Sequence, residues 1–207
     1  SYHESAGDVA VGIFQKSGEE YSTGGDFVLH KDHNEVHLRD LALRFDSTRW
    51  VASHPSAIRW GSGGIFVDKV ELKNGKDGRI FVNGNVPPEG VGGLDIAIEN
   101  FQAADLAALT QTDLDFRGLV STTARIEGTT RAPRIRAALG VAEATYGGTR
   151  VPDVRATATY ASPALVVHVE AADSGRQLAV VEGRIPMNLG SGAGDLLPDA
   201  PISIDLT

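Results

Sequence analysis

The sequence predicts an all-β fold, built from a mostly antiparallel sheet with one short helix. Apolar and polar residues alternate through most of the 207 residues, and successive side chains of a strand point to opposite faces of its sheet. Short turns rich in Gly and Asn, such as Asn74-Gly75, separate the alternating stretches, which is typical of hairpins. Apolar residues at helical spacing occur in one short stretch. At least ten strands are expected, most of them beside antiparallel neighbours.

The first half of the chain is expected to be strands throughout. The period-two alternation changes phase around Arg39-Asp40, which predicts a bulge or a turn there. Residues 1–35 are assigned nothing beyond a strand at 27–29. The strands expected in this half cover residues 27–29, 36–45, 50–52, 58–60, 65–72, 80–86 and 94–98.

The single helix is expected at residues 102–110, where Phe101, Leu106 and Leu109 place apolar groups on one side. A helix of about two turns is not stable alone, so we expect it to dock on the sheet. The strands expected after it cover residues 119–127, 135–141, 154–160, 165–169, 178–186 and 202–206.

An internal repeat extends the prediction from strands to architecture. The stretch 79–101 has a shortened copy at 178–206, and the core at 82–87 corresponds to that at 181–186. Gly84 and Pro87, with Gly183 and Pro186, are expected to be paired bends of the sheet. Two imperfect units, about 36–101 and 119–207, indicate one elongated domain over residues 1–207, made of stacked modules.

Composition excludes several classes of function. The formal net charge is −8 and the one cationic stretch, 130–136, is short, so a nucleic-acid partner is not expected. The absence of cysteine suits an oxidising compartment such as a bacterial periplasm. No apolar run reaches the roughly 18 residues that span a bilayer. Because the sequence starts at Ser1 and its only Met is Met187, we expect a piece of a longer protein.

The stretch 119–139 carries a resemblance to a known family. Its centre, Gly128-Thr129-x-x-x-Pro133-x-Ile135, resembles the Gly-Thr-x-x-x-Pro-x-apolar repeat of the TamB family, the inner-membrane component of the bacterial translocation and assembly module, in the AsmA-like superfamily. The Gly-x-apolar-Pro cores at Gly84 and Gly183 are similar to the same family's repeats. The resemblance covers about residues 36–207.

The resemblance implies a long sheet curled into a taco-like or tubular trough with an apolar inner wall. It also implies a periplasmic, non-enzymatic segment of a protein that is anchored in the inner membrane and reaches toward an outer-membrane barrel protein. The cargo implied is phospholipid, held by its acyl chains, or nascent outer-membrane protein. No cofactor is expected.

The alternating apolar residues are the candidate site, and two interpretations of them stay open. They form either a dry core or a groove matched to acyl chains, because alternation alone does not distinguish buried from ligand-facing positions. The residues expected to face lipid or cargo are Leu41, Leu43, Phe45, Ile80, Val82, Leu94, Ile96, Ile98, Leu165, Val167, Val169, Val181, Ile185, Ile202 and Ile204.

A metal site is not expected, although one cluster resembles a ligand set. His30, His33 and His37 surround Asp32 and Glu35. The three histidines do not keep one parity, whereas ligands on a single strand face would. We therefore interpret the stretch as a polar turn entering the strand at Val36.

Other candidate sites are given structural roles. The glycine-rich stretches 61–64 and 90–93 lack the strand-to-helix context of a nucleophile elbow or a phosphate loop, so a turn and a sheet corner are expected. Asp113 and Asp115 are interpreted as exposed loop carboxylates. Trp50 and Trp60 suit core packing at least as well as a ligand or membrane contact. No catalytic residue is predicted.

A second class of function is kept as an alternative. A secreted β-solenoid or sandwich that binds or cleaves polysaccharide shares the strand content. It requires a carboxylate pair and aromatic platforms that converge on one surface.

Overall fold

The fold is all-β, as predicted: a computed structural model shows an elongated, curled and almost entirely antiparallel sheet. The structure describes residues 5–14, 20–45, 48–105, 115–190, 195–197 and 200–207. Of the helix predicted at 102–110, residues 103–105 are helical and 106–110 lie outside the described residues.

Sixteen strands are seen within these ranges, and their bounds follow the alternating stretches of the sequence. They are β1 (Ser5–Phe14), β2 (Glu20–Leu29), β3 (His33–Phe45), β4 (Thr48–Ala52), β5 (Ser56–Gly61), β6 (Gly64–Lys73), β7 (Arg79–Val86), β8 (Gly92–Gln102), β9 (Phe116–Gly128), β10 (Pro133–Tyr146), β11 (Thr149–Arg150), β12 (Asp153–Ala161), β13 (Ala164–Asp173), β14 (Arg176–Asn188), β15 (Asp195–Leu196) and β16 (Ser203–Leu206).

The strands form one sheet in nearly the order of the sequence. The main path runs β1-β2-β3-β4-β6-β7-β8-β9-β10-β12-β13-β14, and β15 and β16 both pair with β14. Strands β4 and β5 share the two long neighbours β3 and β6. Because almost every connection is a hairpin, the chain advances by one strand spacing at a time and the sheet becomes long and narrow.

Bulges occur where the apolar alternation jumps by three residues. The pairing of β6 with β7 shifts between Val67 and Val70, and that of β8 with β9 shifts between Ile98 and Phe101. The predicted phase change at Arg39-Asp40 is confirmed, since β2 pairs with Asp40 and then with Leu38, which leaves Arg39 as the extra residue. Each extra residue returns the next apolar side chain to the same face, and a bulge also increases local twist.

Two of these bulges place an ordinary residue in the left-handed region. Lys69 has φ 43° and Asn100 has φ 49°. The backbone N–H of Lys69 donates to the Asn83 side chain at 3.1 Å, and that of Asn100 donates to Ser121 Oγ at 3.1 Å. These bonds satisfy backbone donors that the interrupted ladder leaves unpaired.

The curl of the sheet is visible in an aromatic contact. Trp50 of β4 stacks on Phe101 of β8 with ring centroids 5.1 Å apart, although β6 and β7 separate the two strands. On a flat sheet three strand spacings would hold them about 14 Å apart. The side that carries both rings is therefore concave, and the core of the molecule lies inside that curve.

The two repeat copies form similar hairpins with different bends. Gly84 pairs with Leu94 and Gly183 pairs with Ile204, so each glycine faces an apolar residue of the following strand. Gly84 has φ 125°, whereas Gly183 does not adopt a left-handed conformation. Pro186 lies within β14, opposite Ala164. The expectation of equivalent paired bends was wrong, because the second copy continues its strand through the proline.

Replacing Gly84 with alanine is expected to destabilise the fold by about 1–3 kcal/mol, the usual cost of a strained backbone conformation. A Cβ at this position would collide with the carbonyl oxygen of Gly93 on β8. The urea midpoint, measured by circular dichroism, checks the shift. Gly63→Ala is the control, since a Cβ there meets open space. Equal midpoints for the two variants would contradict the role of Gly84.

Candidate functional site

The candidate site is the concave side of the sheet, where the apolar side chains of nearly every strand meet. Directly paired residues of antiparallel strands point to the same side of the sheet. The pairing register therefore shows which positions share a face. We call this side the apolar face, and the three rows of paired residues described next make up most of it.

Each row crosses the sheet from strand to strand. The first row runs Val36, Ile58, Val67, Gly84, Leu94, Ile126, Ile135, Tyr160, Leu165 and Ile185. The middle row runs Val70, Val82, Ile96, Ala124, Ala137, Ala158, Val167, Gly183 and Ile204. The third row runs Ala52, Leu72, Ile80, Ile98, Thr122, Leu139, Ala156, Val169, Val181 and Leu206.

The residues predicted to face cargo lie on this one face. Eleven of the fifteen are members of the three rows. Leu41 and Leu43 pair with Thr23 and Tyr21 of β2, and the rings of Tyr21 and Phe45 meet at 5.7 Å. Ile202 lies two residues before Ile204, next to the first residue of β16. The register thus aligns on one face predicted residues of strands from β7 to β16.

Near β3 to β8 the apolar face is closed into a packed core. Phe45, Trp50, Leu72 and Phe101 form one buried cluster. Val67, Val86 and Leu94 form a second buried cluster. Phe45 and Leu94, both predicted to face cargo, are therefore core residues, and the dry-core interpretation describes this part of the face.

Toward the C-terminal strands the apolar face is increasingly open. The predicted residues of β13 and β14 are half-buried, namely Leu165, Val167, Val169, Val181 and Ile185, and Ile202 is exposed. On the edge strand Ile204 is 69 % exposed. A cavity of about 460 Å³ also opens at Ile58, Trp60, Ile65, Pro88 and Thr130, where the first row begins. The apolar face is therefore a packed core near β3 to β8 and an accessible apolar surface toward the C-terminal strands.

Small residues make the middle row shallow between β9 and β14. Ala124, Ala137 and Ala158 occupy three consecutive strands of that row, and Gly183 follows after Val167 on β13. The first row beside them carries Ile126, Ile135, Tyr160 and Leu165 in the same region. A line of small side chains beside a line of large ones makes a groove that runs across the strands. These alanines were not among the residues predicted to face cargo, although their alternation with Arg125, Arg136 and Thr157 marked them as residues of the apolar face.

The opposite face carries ion pairs between neighbouring strands. Arg125 on β9 donates to Asp95 on β8 at 2.6 Å and to Glu127 at 3.0 Å. Arg79 on β7 donates to Glu71 on β6 at 2.7 Å, and its guanidinium lies over the Phe81 ring. The Arg79 bond lowers the pKa of the Glu71 carboxyl. The charges of this face are thus engaged with one another, and the face is suited to water.

His168 on this polar face is held between two carboxylates. It bonds Glu170 of its own strand at 3.0 Å and Glu182 of β14 at 3.3 Å. These bonds, that to Glu170 above all, raise the pKa of His168 from its ordinary value of 6.5. On the neighbouring strand β12, the uncharged Thr157 pairs with His168, and Arg155 pairs with Glu170.

His168 is expected to make stability depend on pH. Because its pKa is higher in the folded state, protonation stabilises the fold fully below about pH 6.5, and this contribution is lost as pH rises through the raised pKa. His168→Gln should flatten that part of the curve of unfolding free energy against pH. Glu170→Gln, which removes the stronger bond, should flatten it as well. Identical slopes in wild type and His168→Gln would contradict the expectation.

The remaining sequence candidates lie at separate places in the fold. Asp113 is outside the described residues, and the exposed Asp115 is 3.7 Å from Arg117. Residues 62–63 form the turn between β5 and β6, as predicted. Of the sheet corner predicted at 90–93, Gly90 and Val91 precede β8, while Gly92 and Gly93 are its first two residues. Trp50 is fully buried, as core packing requires, while Trp60 is 42 % exposed beside the cavity.

The side chains of the histidine cluster lie closer together than the strand positions of the three histidines predicted. His30, His33 and Glu35 place potential ligand atoms within 4.8 Å of one another. His37 instead lies between Asp26 at 2.7 Å and Glu35 at 2.9 Å, and these bonds raise its pKa. Alternation does not constrain His30, which precedes β3 and lies in the turn after β2.

Fold and site together define a class: an open, curled antiparallel sheet with one apolar and one charged face. Comparison with known proteins adds no closer identity, since no family model, curated protein or solved structure matches this chain. Within the described ranges no helix has the length and apolar character needed to cross a membrane.

Proposed function

We propose that this chain is a non-enzymatic segment of a TamB-like envelope-biogenesis protein, in which the apolar face shields phospholipid acyl chains from water. The observation that carries the proposal is the continuity of the three apolar rows across successive strands. The sequence resemblance at Gly128, Thr129, Pro133 and Ile135 supplies the family. The protein would act in the periplasm, anchored in the inner membrane and partnered by an outer-membrane barrel protein.

The length and the width of the apolar face suit an extended hydrocarbon chain. Neighbouring strands lie about 4.8 Å apart, so the rows extend for tens of ångströms across the sheet. Adjacent rows are two residues apart along each strand, or about 7 Å, which leaves room for one acyl chain above the small residues of the middle row. Ala124, Ala137 and Ala158 are the floor of this groove.

Burial supplies the driving force without a positioned polar group. Each methylene removed from water contributes about 0.8 kcal/mol. The half-buried side chains of the open part, such as Val169 and Val181, would lose their remaining contact with water at the same time. Such binding is non-directional, so an acyl chain can slide along the rows while the headgroup of its phospholipid stays in solvent.

The sheet edges support a second cargo, an unfolded outer-membrane strand. In the described part of the chain β1 pairs with β2 alone and β16 with β14 alone, so each has an unpaired side. An incoming strand can add to such an edge through backbone hydrogen bonds. Its own apolar side chains would then extend the rows.

Analysis of co-purified molecules separates the candidates. The protein would be expressed in a Gram-negative bacterium, purified without detergent, and extracted for lipid mass spectrometry. We expect phospholipid at a constant molar ratio to the protein. Crosslinking to outer-membrane barrels without bound lipid would instead favour the strand cargo. Retention on a polysaccharide column, with neither bound phospholipid nor a crosslinked barrel protein, would overturn the proposal in favour of the carbohydrate alternative.

A further inference from the structure

The turn between β2 and β3 brings together three metal-ligating side chains. We propose that His30, His33 and Glu35 bind a divalent transition-metal ion of the zinc type, independently of the apolar face. Their ligand atoms lie within 4.8 Å of one another, and all three side chains are half-buried. Two imidazoles and one carboxylate, with the remaining position open to water, form a recognised ligand set for Zn²⁺.

The fold of the turn explains the approach of the two histidines. The backbone N–H of His30 donates to the carbonyl of His33 at 2.9 Å, which closes the turn. The imidazole rings are nearly parallel, with centroids 4.1 Å apart. The Ser62 backbone and hydroxyl both donate to the Asp32 carbonyl, at 2.8 and 3.0 Å, and this holds the turn against the β5–β6 connection.

Asp32 orients His33 for ligation. The Nδ1 atom of His33 lies 3.0 Å from the Asp32 carboxylate. An ionised Asp32 accepts the Nδ1 proton, which leaves the lone pair on Nε2. That Nε2 is 3.9 Å from Glu35 Oε2. A carboxylate on the far ring nitrogen is the usual support of a metal-bound histidine.

Glu35 is supported on its other oxygen. Its Oε1 atom bonds His37 Nε2 at 2.9 Å, and His37 Nδ1 bonds Asp26 at 2.7 Å. The Oε2 atom is thereby directed toward the two imidazoles. The chain Asp26–His37–Glu35 thus positions the carboxylate while leaving one oxygen to the metal.

Small movements would complete the coordination. Bonds of 2.0–2.1 Å in tetrahedral zinc place ligand atoms about 3.4 Å apart, so the cluster must contract by about 1.4 Å from its widest separation. Rotation of these half-buried side chains, which must turn the two imidazole rings out of their parallel stack, supplies such a change. A cavity of about 350 Å³ lies beside His33, with Asp32, Arg59 and Asn85 in its wall, and gives room for the open position.

Calorimetric titration of the tag-free chain with Zn²⁺ at about pH 7.5 tests the site. We expect saturable binding of one ion per chain. His30→Ala and His33→Ala should each weaken binding at least tenfold, and Asp32→Asn by about 10–100-fold as a supporting residue.

His168→Ala is the matched control, because His168 also lies between two carboxylates but has no second histidine beside it among the residues described. It should bind Zn²⁺ as the wild type does. Visible absorption of the Co²⁺-loaded wild type should show the d–d bands of a site with nitrogen ligands, a measurement that needs no variant to fold. Absence of saturable binding, or equal weakening by His168→Ala and His33→Ala, would overturn the proposal.

Discussion

Trp50→Ala is expected to lower the free energy of unfolding by about 3–5 kcal/mol, the usual cost of removing a large buried aromatic side chain. Trp50 has no solvent exposure and stacks on Phe101, which itself meets Phe45 edge-on at 6.1 Å. The substitution therefore leaves a cavity at the point where β4 and β8 meet across the curl. Urea unfolding followed by far-ultraviolet circular dichroism measures the loss.

Trp60→Ala is the control for this substitution. Trp60 is 42 % exposed on β5, so its removal leaves no enclosed cavity and should cost less than about 1 kcal/mol. A total stability of about 5–15 kcal/mol is usual for a domain, so the Trp50 variant loses a large fraction of it. Equal effects of the two substitutions would show that the curl does not enclose the core at Trp50.

Val167→Asp is expected to reduce phospholipid binding at least tenfold. Val167 lies in the middle row between Ala158 and Gly183, where an acyl chain would pass. A carboxylate there must lose water when hydrocarbon covers it, and that cost exceeds the 1.4 kcal/mol that corresponds to a factor of ten. The ratio of co-purified phospholipid to folded protein measures the effect.

Val166→Asp provides a control of the same residue type on the adjacent position. Val166 points to the polar face, is 44 % exposed and pairs with Arg184 of β14. An aspartate there gains a cationic neighbour and should leave lipid binding unchanged. If both variants retain lipid, or both lose it to the same extent while remaining folded, the middle row is not the binding surface.

The strands and their facing were predictable because both depend on local alternation. Within a strand, parity alone assigns Ile96 and Ile98 to one face and Asp95 and Ala97 to the other. The predicted cargo-facing residues share one face for this reason. The same signal was present in β1 at Val9, Val11 and Ile13, which pair with β2, but it was overlooked beside Gly7 and Gly12.

The distribution of packed and open regions was not predictable in the same way. Phe45 and Ile204 both follow the apolar parity, yet Phe45 is fully buried and Ile204 is largely exposed. The difference depends on which strands the curl brings opposite each other, and bulges at Lys69 and Asn100 contribute to that curvature. Alternation contains no information about contacts across the curve.

The histidine cluster shows a second limit of parity. The rule disfavoured a shared site because it treats all three histidines as strand residues. His33 and His37 do belong to β3, whereas His30 lies in the preceding turn. A turn can direct a side chain toward either face, so the closure of His30 on His33 needed the structure.

Site-specific photocrosslinking in living cells tests whether the apolar face holds acyl chains. A photoreactive amino acid would replace Val167 or Ile96 on the apolar face, and Val166 or Ala97 on the polar face, in cells whose phospholipids carry radioactive phosphate. Labelled adducts are expected at Val167 and Ile96 and none at Val166 and Ala97. Equal labelling of both faces, or protein adducts without lipid at Val167 and Ile96, would contradict this expectation.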